Sequence, residues 1–106
     1  MVAHIVYTAL DSEAPATVSE KAMQYIREDM GCDQFLLADD ISMKALDKVG
    51  NLADRAVKTL AAGCDATLYC AGNLTEMEEI MRDVPLLTPQ SQTRYERSRI
   101  RRRSAA

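Results

Sequence analysis

Apolar residues in this chain form either short continuous runs or stripes with helical spacing. Residues 35–38 are one continuous apolar run, and Asp39 and Asp40 follow it directly, ahead of a segment that favours helix. Such a run is typical of a strand that is covered on both faces, as in a parallel sheet. We therefore predict a central strand at residues 35–38, with the two aspartates at its carboxyl edge.

Two other segments predict strands before and after the central one. Residues 4–8 are rich in β-branched and aromatic side chains, and residues 65–70 follow a glycine with a similar but weaker bias. Both compositions are typical of β-structure.

Helical patterns follow the first and second predicted strands. Thr17 and Glu20 have the spacing of a capping box, and Gly31 ends the helix that they begin. The apolar stripe of this helix consists of Ala22, Met23, Ile26 and Met30. After the central strand, Ser42 is expected to cap a short helical turn at residues 43–46.

Three more helices are predicted in the second half of the chain. One begins at Leu52 and ends at Gly63, which suits a left-handed C-terminal cap. Another begins with a capping box at Thr75 and Glu78, and Pro89 suits the first position of the last helix.

Strands therefore alternate with helices in the order β-α-β-α-β-α, which predicts an α/β fold with right-handed crossovers and parallel strands. The strand ends near Asp11, Asp39 and Asn73 should then lie on the same side of the sheet. Ligands of such sheets bind at that side.

The composition of the chain excludes some classes of partner but does not indicate a function. The chain has 106 residues, 47% of them hydrophobic and 27% charged, which is ordinary for a soluble globular domain. Its net charge of -3 predicts no overall attraction to nucleic acid or to an anionic membrane. No apolar run approaches the length of a membrane span and no signal segment opens the chain, so a cytoplasmic location is expected.

The basic segment at residues 94–103 is the exception to this charge balance. It could act as a nucleic-acid arm, but it is short, terminal and has a single tyrosine for stacking. A helix that flanks the domain is the favoured interpretation, and no nucleic-acid partner is expected.

The cysteines and the only histidine carry no metal or catalytic pattern. Cys32, Cys64 and Cys70 lack the spacing and the histidine partners of a zinc site, so we expect small buried apolar residues and neither metal nor cofactor. His4 is expected to be a hydrogen-bonded residue at the base of the first strand, pointing away from the catalytic edge.

The aspartate pair is the best candidate for chemistry. An aspartate at a strand end can serve as nucleophile, base, metal ligand or helix cap. Asp39 and Asp40 should point to opposite faces of an extended strand, so they cannot share a proton unless the strand contains a bulge. Only Asp11 is a plausible further ligand for a metal, which makes metal binding the weaker alternative.

The sequence around this pair resembles a known enzyme family. Residues 31–46 resemble the nucleophile segment of glycoside hydrolase family 3, specifically the bacterial beta-N-acetylhexosaminidases that recycle peptidoglycan. Residues 3–11 with 14–17 resemble the preceding strand and loop of those enzymes, and residues 61–70 resemble the last strand of their barrel. Ala38 departs from the pattern, because the family usually has serine there.

The resemblance implies that residues 1–106 form the C-terminal part of a (β/α)8 TIM barrel, about three β/α units of a partial catalytic barrel. A complete barrel takes about 250 residues, so the N-terminal barrel units are expected to be missing. It also implies a retaining hydrolase that removes terminal beta-linked N-acetylglucosamine from peptidoglycan fragments without a cofactor, with Asp39 as the catalytic nucleophile.

In the family the acid/base is a histidine on a loop upstream of the first strand seen here, and most sugar-binding residues also lie upstream. The isolated chain is therefore expected to be inactive. Two alternatives stay open, namely a noncatalytic barrel remnant or interaction module, and an unrelated small α/β binding domain.

Overall fold

The computed structural model describes the backbone of residues 1–105 and the side chains of residues 1–100. These residues form a small α/β domain. Two parallel strands lie at its centre, β1 (Leu37–Asp40) and β2 (Ala66–Leu68). Its α-helices are α1 (Glu20–Gln24), α2 (Leu52–Ala62), α3 (Leu74–Asp83) and α4 (Pro89–Ala105). A π-helical turn at Tyr25–Asp29 extends α1, and 3-10 turns lie at Ala16–Val18 and Lys44–Leu46.

The pairing of β1 with β2 is interrupted at one residue. Leu37 pairs with Ala66 and Ala38 with Thr67, but the next partner of Leu68 is Asp40, so Asp39 is skipped. An extra residue of this kind is a β-bulge, which re-aims the side chains around it. The bulge therefore falls on the residue that the sequence singles out.

The predicted strand at residues 4–8 is wrong. Only Val2 joins the sheet, through a single parallel bridge to Ala38, and the chain then leaves the sheet. The Ile5 carbonyl accepts a hydrogen bond from the amide of Ala16, and the Tyr7 carbonyl accepts two in the turn that follows. The backbone groups that a strand would offer to a neighbour are thus used locally.

The central strand is confirmed but begins later than predicted and includes both aspartates. Leu36 is held before the strand starts, because its amide donates to the Asp65 carboxylate and its carbonyl accepts from the Asp65 amide. At the carboxyl end of β1, the Asp39 amide donates to the Val2 carbonyl at 3.0 Å, so backbone hydrogen bonding continues into the aspartate pair.

The first helix is confirmed with a different start. Ser19 caps it by accepting from the Ala22 amide, whereas Thr17 is buried in a contact with His4. Ala22 and Met23 are buried as predicted, but Met30 is 65% exposed. The π-helical turn widens the helix after Gln24 and shifts the phase of the stripe, which takes Met30 away from the core.

The later helices confirm most of the pattern. Asn51 and Asp54 form a capping box at the start of α2, and Gly63 ends it at a φ of 131°. Helix α3 begins earlier than predicted, because Asn73 and not Thr75 supplies the cap. Pro89 opens α4 as predicted.

Two buried clusters fill the space between the strands and the helices. One lies around Met23 and Ala38 and the other around Ile41 and Ile80. Of the three cysteines, only Cys64 is buried, Cys32 is half-buried and Cys70 is exposed, so the prediction of three buried thiols is only partly confirmed.

Helix α4 lies against the amino-terminal end of the sheet. Ser91 and Arg94 both donate to the Asp65 carboxylate, and Arg97 pairs with Asp33, which precedes β1. The described part of the basic segment is therefore engaged within the domain, at the opposite end from Asp39. The side chains of its last arginines, at residues 101–103, lie outside the described residues.

Candidate functional site

The candidate site is the carboxyl end of β1, where the bulge turns one peptide group toward Asp39. The Asp40 amide donates to Oδ1 of Asp39 at 2.8 Å instead of to the neighbouring strand. Within the described residues, Oδ2 of Asp39 has no hydrogen-bond partner, and the residue is only half-buried. One oxygen of Asp39 is thus oriented by the backbone, while the other makes no hydrogen bond within the described residues.

Asp40 is held much more tightly than Asp39. Its Oδ1 accepts from the amide of Ser42 at 3.0 Å and from the amide of Cys70 at 3.2 Å, and its Oδ2 accepts from the Ser42 hydroxyl at 2.6 Å. Burial acts against ionisation of this carboxyl, yet the hydrogen bonds from Ser42 and Cys70 outweigh it and lower the pKa of Asp40. Asp40 is therefore an ionised group whose oxygens are already used.

His4 lies at this same edge and not away from it, so that part of the expectation is wrong. Its Nε2 is 2.8 Å from the Asp40 carbonyl and its Nδ1 is 2.7 Å from the Thr17 hydroxyl. A carbonyl can only accept, so Nε2 donates to it, while Nδ1 forms the second hydrogen bond with the Thr17 hydroxyl. The expected hydrogen-bonded histidine is confirmed, and both of its nitrogens are occupied.

Asp11 and Asn73 have local structural tasks. Asp11 accepts from the Glu13 amide and from the Ser19 hydroxyl, and the bond from Ser19 is the main reason that its pKa is lowered. Asn73 caps α3 through the amide of Glu76. In the described part of the chain, neither side chain makes a hydrogen bond to Asp39.

A second polar pair near this edge was not foreseen from the sequence. Tyr69, just after β2, donates its hydroxyl to the Glu76 carboxylate and accepts from the Asn73 amide. Burial is the largest cause that raises the pKa of Tyr69, and the bond to Glu76 adds to it. This pair fixes the loop between β2 and α3, in which the Cys70 amide lies.

The prediction that Ser42 caps the turn at residues 43–46 is wrong, because that turn has no side-chain cap and the Ser42 hydroxyl donates to Asp40 instead. The role of Cys70 was missed altogether. An aspartate that accepts from the amide two residues later is a common Asx turn, so the Asp40-Ile41-Ser42 order was a usable signal for Ser42. Cys70 acts through its backbone, which has no sequence signature.

The described residues contain no group of three His, Cys, Asp or Glu side chains placed to hold a metal ion. No helix in the part of the chain that the structure describes is long and apolar enough to cross a membrane. The site itself offers one half-buried carboxylate, that of Asp39, with a single backbone hydrogen bond among the described residues.

The chain matches a known family over nearly its whole length. The family model described as "Glycosyl hydrolase family 3 N terminal domain" matches residues 1–102. That description does not support the assignment of the chain to the C-terminal portion of a barrel, which stays a prediction.

Curated relatives point the same way. The chain is 34% identical over 98 residues to a protein named Beta-hexosaminidase from Idiomarina loihiensis, which is 92% of this chain and 29% of that protein. It is 38% identical over 71 residues to a Beta-hexosaminidase from Methylobacillus flagellatus, covering 66% of this chain and 20% of the relative. A Beta-hexosaminidase from Bordetella pertussis is 34% identical over 77 residues, with 72% and 22% covered. The chain thus spans less than a third of the length of these relatives.

Proposed function

The chain belongs to glycosyl hydrolase family 3, and on that basis we propose that it is part of a retaining beta-N-acetylhexosaminidase whose nucleophile is Asp39. The observation that carries the proposal is the state of the Asp39 carboxylate. One oxygen accepts from the Asp40 amide and the other has no partner among the described residues. Asp40, by contrast, has both oxygens engaged by Ser42 and Cys70.

The proposed reaction uses Asp39 as the nucleophile, as the family resemblance implies. A free oxygen of Asp39 attacks the anomeric carbon of the terminal sugar, the bond to the leaving oxygen breaks, and that oxygen takes a proton from an acid. Water then attacks the anomeric carbon of the glycosyl-Asp39 ester and gives its proton to the deprotonated acid, so the sugar is released, the acid is regenerated and Asp39 regains its negative charge. Two displacements at the same carbon retain its configuration.

We expect the acid to come from outside the described residues, because the family resemblance implies a histidine upstream of the first strand. His4 is the only histidine of the chain, and both ring nitrogens are already bonded, to Thr17 and to the Asp40 carbonyl. A general acid has to reach the leaving oxygen with a free donor. The proposal therefore includes the expectation that residues 1–106 alone do not turn over substrate.

The architecture proposed for the whole protein is a (β/α)8 barrel to which this chain contributes about three C-terminal β/α units. Parallel pairing of β1 with β2, helices between them, and a reactive carboxylate at the carboxyl end of a strand support this idea. Residues 1–36 then supply the first unit, in which only Val2 remains in the sheet.

The proposed substrate is a terminal beta-linked N-acetylglucosamine on a peptidoglycan fragment, handled in the cytoplasm. The name Beta-hexosaminidase of the relatives supports a carbohydrate of this class. The choice of peptidoglycan fragments and of the compartment rests mainly on the family resemblance, which residues 3–11, 14–17, 31–46 and 61–70 carry.

The test compares aspartate variants in the native gene product, that is, the whole polypeptide that the natural gene encodes. Asp39→Asn should lower kcat on a chromogenic beta-N-acetylglucosaminide by several orders of magnitude, because the amide cannot attack the anomeric carbon. Asp40→Asn should cost less, and Asp29→Asn, at an exposed carboxylate outside the site, is the matched control. Wild-type turnover in Asp39→Asn, or no turnover in the wild type, would refute the proposal.

A further inference from the structure

Asp40 links the two strands where their hydrogen-bond ladder is broken. The bulge skips Asp39 in the register, so the Asp40 amide is not used between β1 and β2 and donates to the Asp39 carboxylate instead. Beyond the bulge, the Cys70 amide donates to the Asp40 side chain rather than to a backbone carbonyl. The side chain thus takes over the cross-strand link that the ladder lacks at this point.

The peptide group that follows Asp40 is fixed at both of its polar atoms as well. Its carbonyl accepts from Nε2 of His4 at 2.8 Å, and the next amide, that of Ile41, donates to the Leu68 carbonyl at 2.9 Å. Its own side chain bonds to the amide and the hydroxyl of Ser42. The direction of the Asp40 amide, and with it the orientation of the Asp39 carboxylate, is therefore set by contacts that converge on Asp40.

From this geometry we infer that Asp40 is a positioning residue: its carboxylate holds the bulge in the form that orients Asp39 for attack. The inference rests on the proposed role of Asp39. It adds that Asp40 acts through an acceptor oxygen and not through its negative charge. The Asp40 side chain makes three hydrogen bonds. Two of them are to Oδ1, which accepts from the amides of Ser42 and Cys70. An asparagine can present that oxygen equally well.

This division of tasks makes two variants informative. Asp40→Asn removes the charge but keeps an oxygen for both amides, whereas Asp40→Ala removes the oxygen too. Both variants are neutral at this position, so the difference between them isolates the hydrogen bonds from the electrostatics. A catalytic carboxylate would tolerate neither change.

The first measurement is steady-state kinetics on the native gene product, with thermal unfolding as the control for folding. We expect Asp40→Asn to stay within about tenfold of the wild-type kcat. We expect Asp40→Ala to fall about 100-fold further with little change in KM, since a misplacement of about 1 Å costs about that much. Equal kcat values for a folded Asp40→Ala and Asp40→Asn would overturn the inference. So would an Asp40→Asn variant as inactive as Asp39→Asn, an outcome that decides the matter even if Asp40→Ala does not fold.

The second measurement does not depend on turnover. Hydrogen exchange at the Cys70 amide should be about tenfold faster in Asp40→Ala than in Asp40→Asn, because only the latter keeps the acceptor. Equal exchange in the two would overturn the inference by itself. If instead Asp39→Asn were fully active, the proposed function would fail while the exchange result would still report on the bulge.

Discussion

At the scale of single residues, the edge of the sheet depends on a buried histidine whose two ring nitrogens are both hydrogen-bonded within the domain. His4 lies beside the end of β1, and its ring is hydrogen-bonded both to the Thr17 hydroxyl and to the Asp40 carbonyl. The sequence predicted a hydrogen-bonded histidine but placed it at the wrong end of a strand. That error has a physical cause, because the first strand shrinks to Val2 and brings residue 4 to the level of Asp40.

We predict that His4→Ala destabilises the native gene product by about 2–4 kcal/mol, since it leaves the Thr17 hydroxyl and the Asp40 carbonyl without partners in a buried place. Urea unfolding would measure this change in the free energy of unfolding. The control is Tyr7→Ala, at an exposed side chain, which should lower the free energy of unfolding much less. A loss below about 0.5 kcal/mol in His4→Ala would contradict the role given to the ring.

The aspartate pair shows what a residue pattern can and cannot predict. An apolar run that ends in two aspartates was enough to locate the strand end, but alternation alone could not tell Asp39 from Asp40. The bulge resolves the difference, because it gives Asp39 one backbone donor and Asp40 three bonds from Ser42 and Cys70. Bulges depend on long-range pairing and leave little trace in the local sequence.

At the scale of secondary-structure elements, helices were predicted better than strands. Helix α2 was predicted to begin at Leu52 and to end at Gly63, and the structure has it at Leu52–Ala62 with Gly63 as its C-cap. The first strand failed because strand formation requires a partner elsewhere in the chain, and local composition does not supply one. Helix α4 was predicted to begin at Pro89, yet its attachment to the sheet through Asp65 had no sequence signal.

Asp65 is the residue that ties α4 to both strands. Its side chain is 1% exposed and accepts from Arg27, Arg94 and Ser91 as well as from the Leu36 amide. Burial opposes its ionisation, but these hydrogen bonds prevail and lower its pKa below the usual 3.8. The folded state therefore favours the charged form more than the unfolded state does.

We predict that Asp65→Asn destabilises the native gene product by about 3–5 kcal/mol at pH 7, because the largely buried Arg27 loses its carboxylate partner and Arg94 keeps only Asp33. Asp47→Asn, which breaks an exposed pair with Arg55, should cost less than about 1 kcal/mol. Since the folded pKa of Asp65 is depressed, its contribution is complete above about pH 4 and is lost as the pH falls through that lower value.

Urea unfolding at pH 7 and at pH 3 would measure both effects. The wild type should lose more stability between these two values than Asp65→Asn does. An equal loss in the two proteins would show that Asp65 does not contribute to the acid sensitivity.

At the scale of the whole molecule, the described residues leave apolar surface uncovered on both sides of the sheet. Leu86 is 93% exposed and Met81 is 70% exposed near β2, and an apolar cavity of about 450 Å³ lies near Val2 and Met30 on the other side. Within the described part of the chain, β2 has only β1 as a neighbour. Unpaired strand edges and large apolar patches promote association.

We predict that purified residues 1–106 associate or unfold without a cooperative transition, and that they do not cleave a beta-N-acetylglucosaminide. Size-exclusion chromatography and a thermal scan test the first expectation, and a chromogenic assay tests the second. A monomer with a sharp thermal transition would contradict the partial-barrel proposal. Activity of the isolated chain would contradict the need for an acid from outside it.

The identity of the nucleophile is tested most directly by trapping the covalent intermediate. A fluorinated beta-N-acetylglucosaminide that forms the glycosyl-enzyme quickly and releases it slowly would be incubated with the native gene product, and the labelled peptide sequenced by mass spectrometry. The label should be found on Asp39 and should be absent from the Asp39→Asn variant. A label on Asp40 or Asp11, or on no residue of this chain, would contradict the assignment.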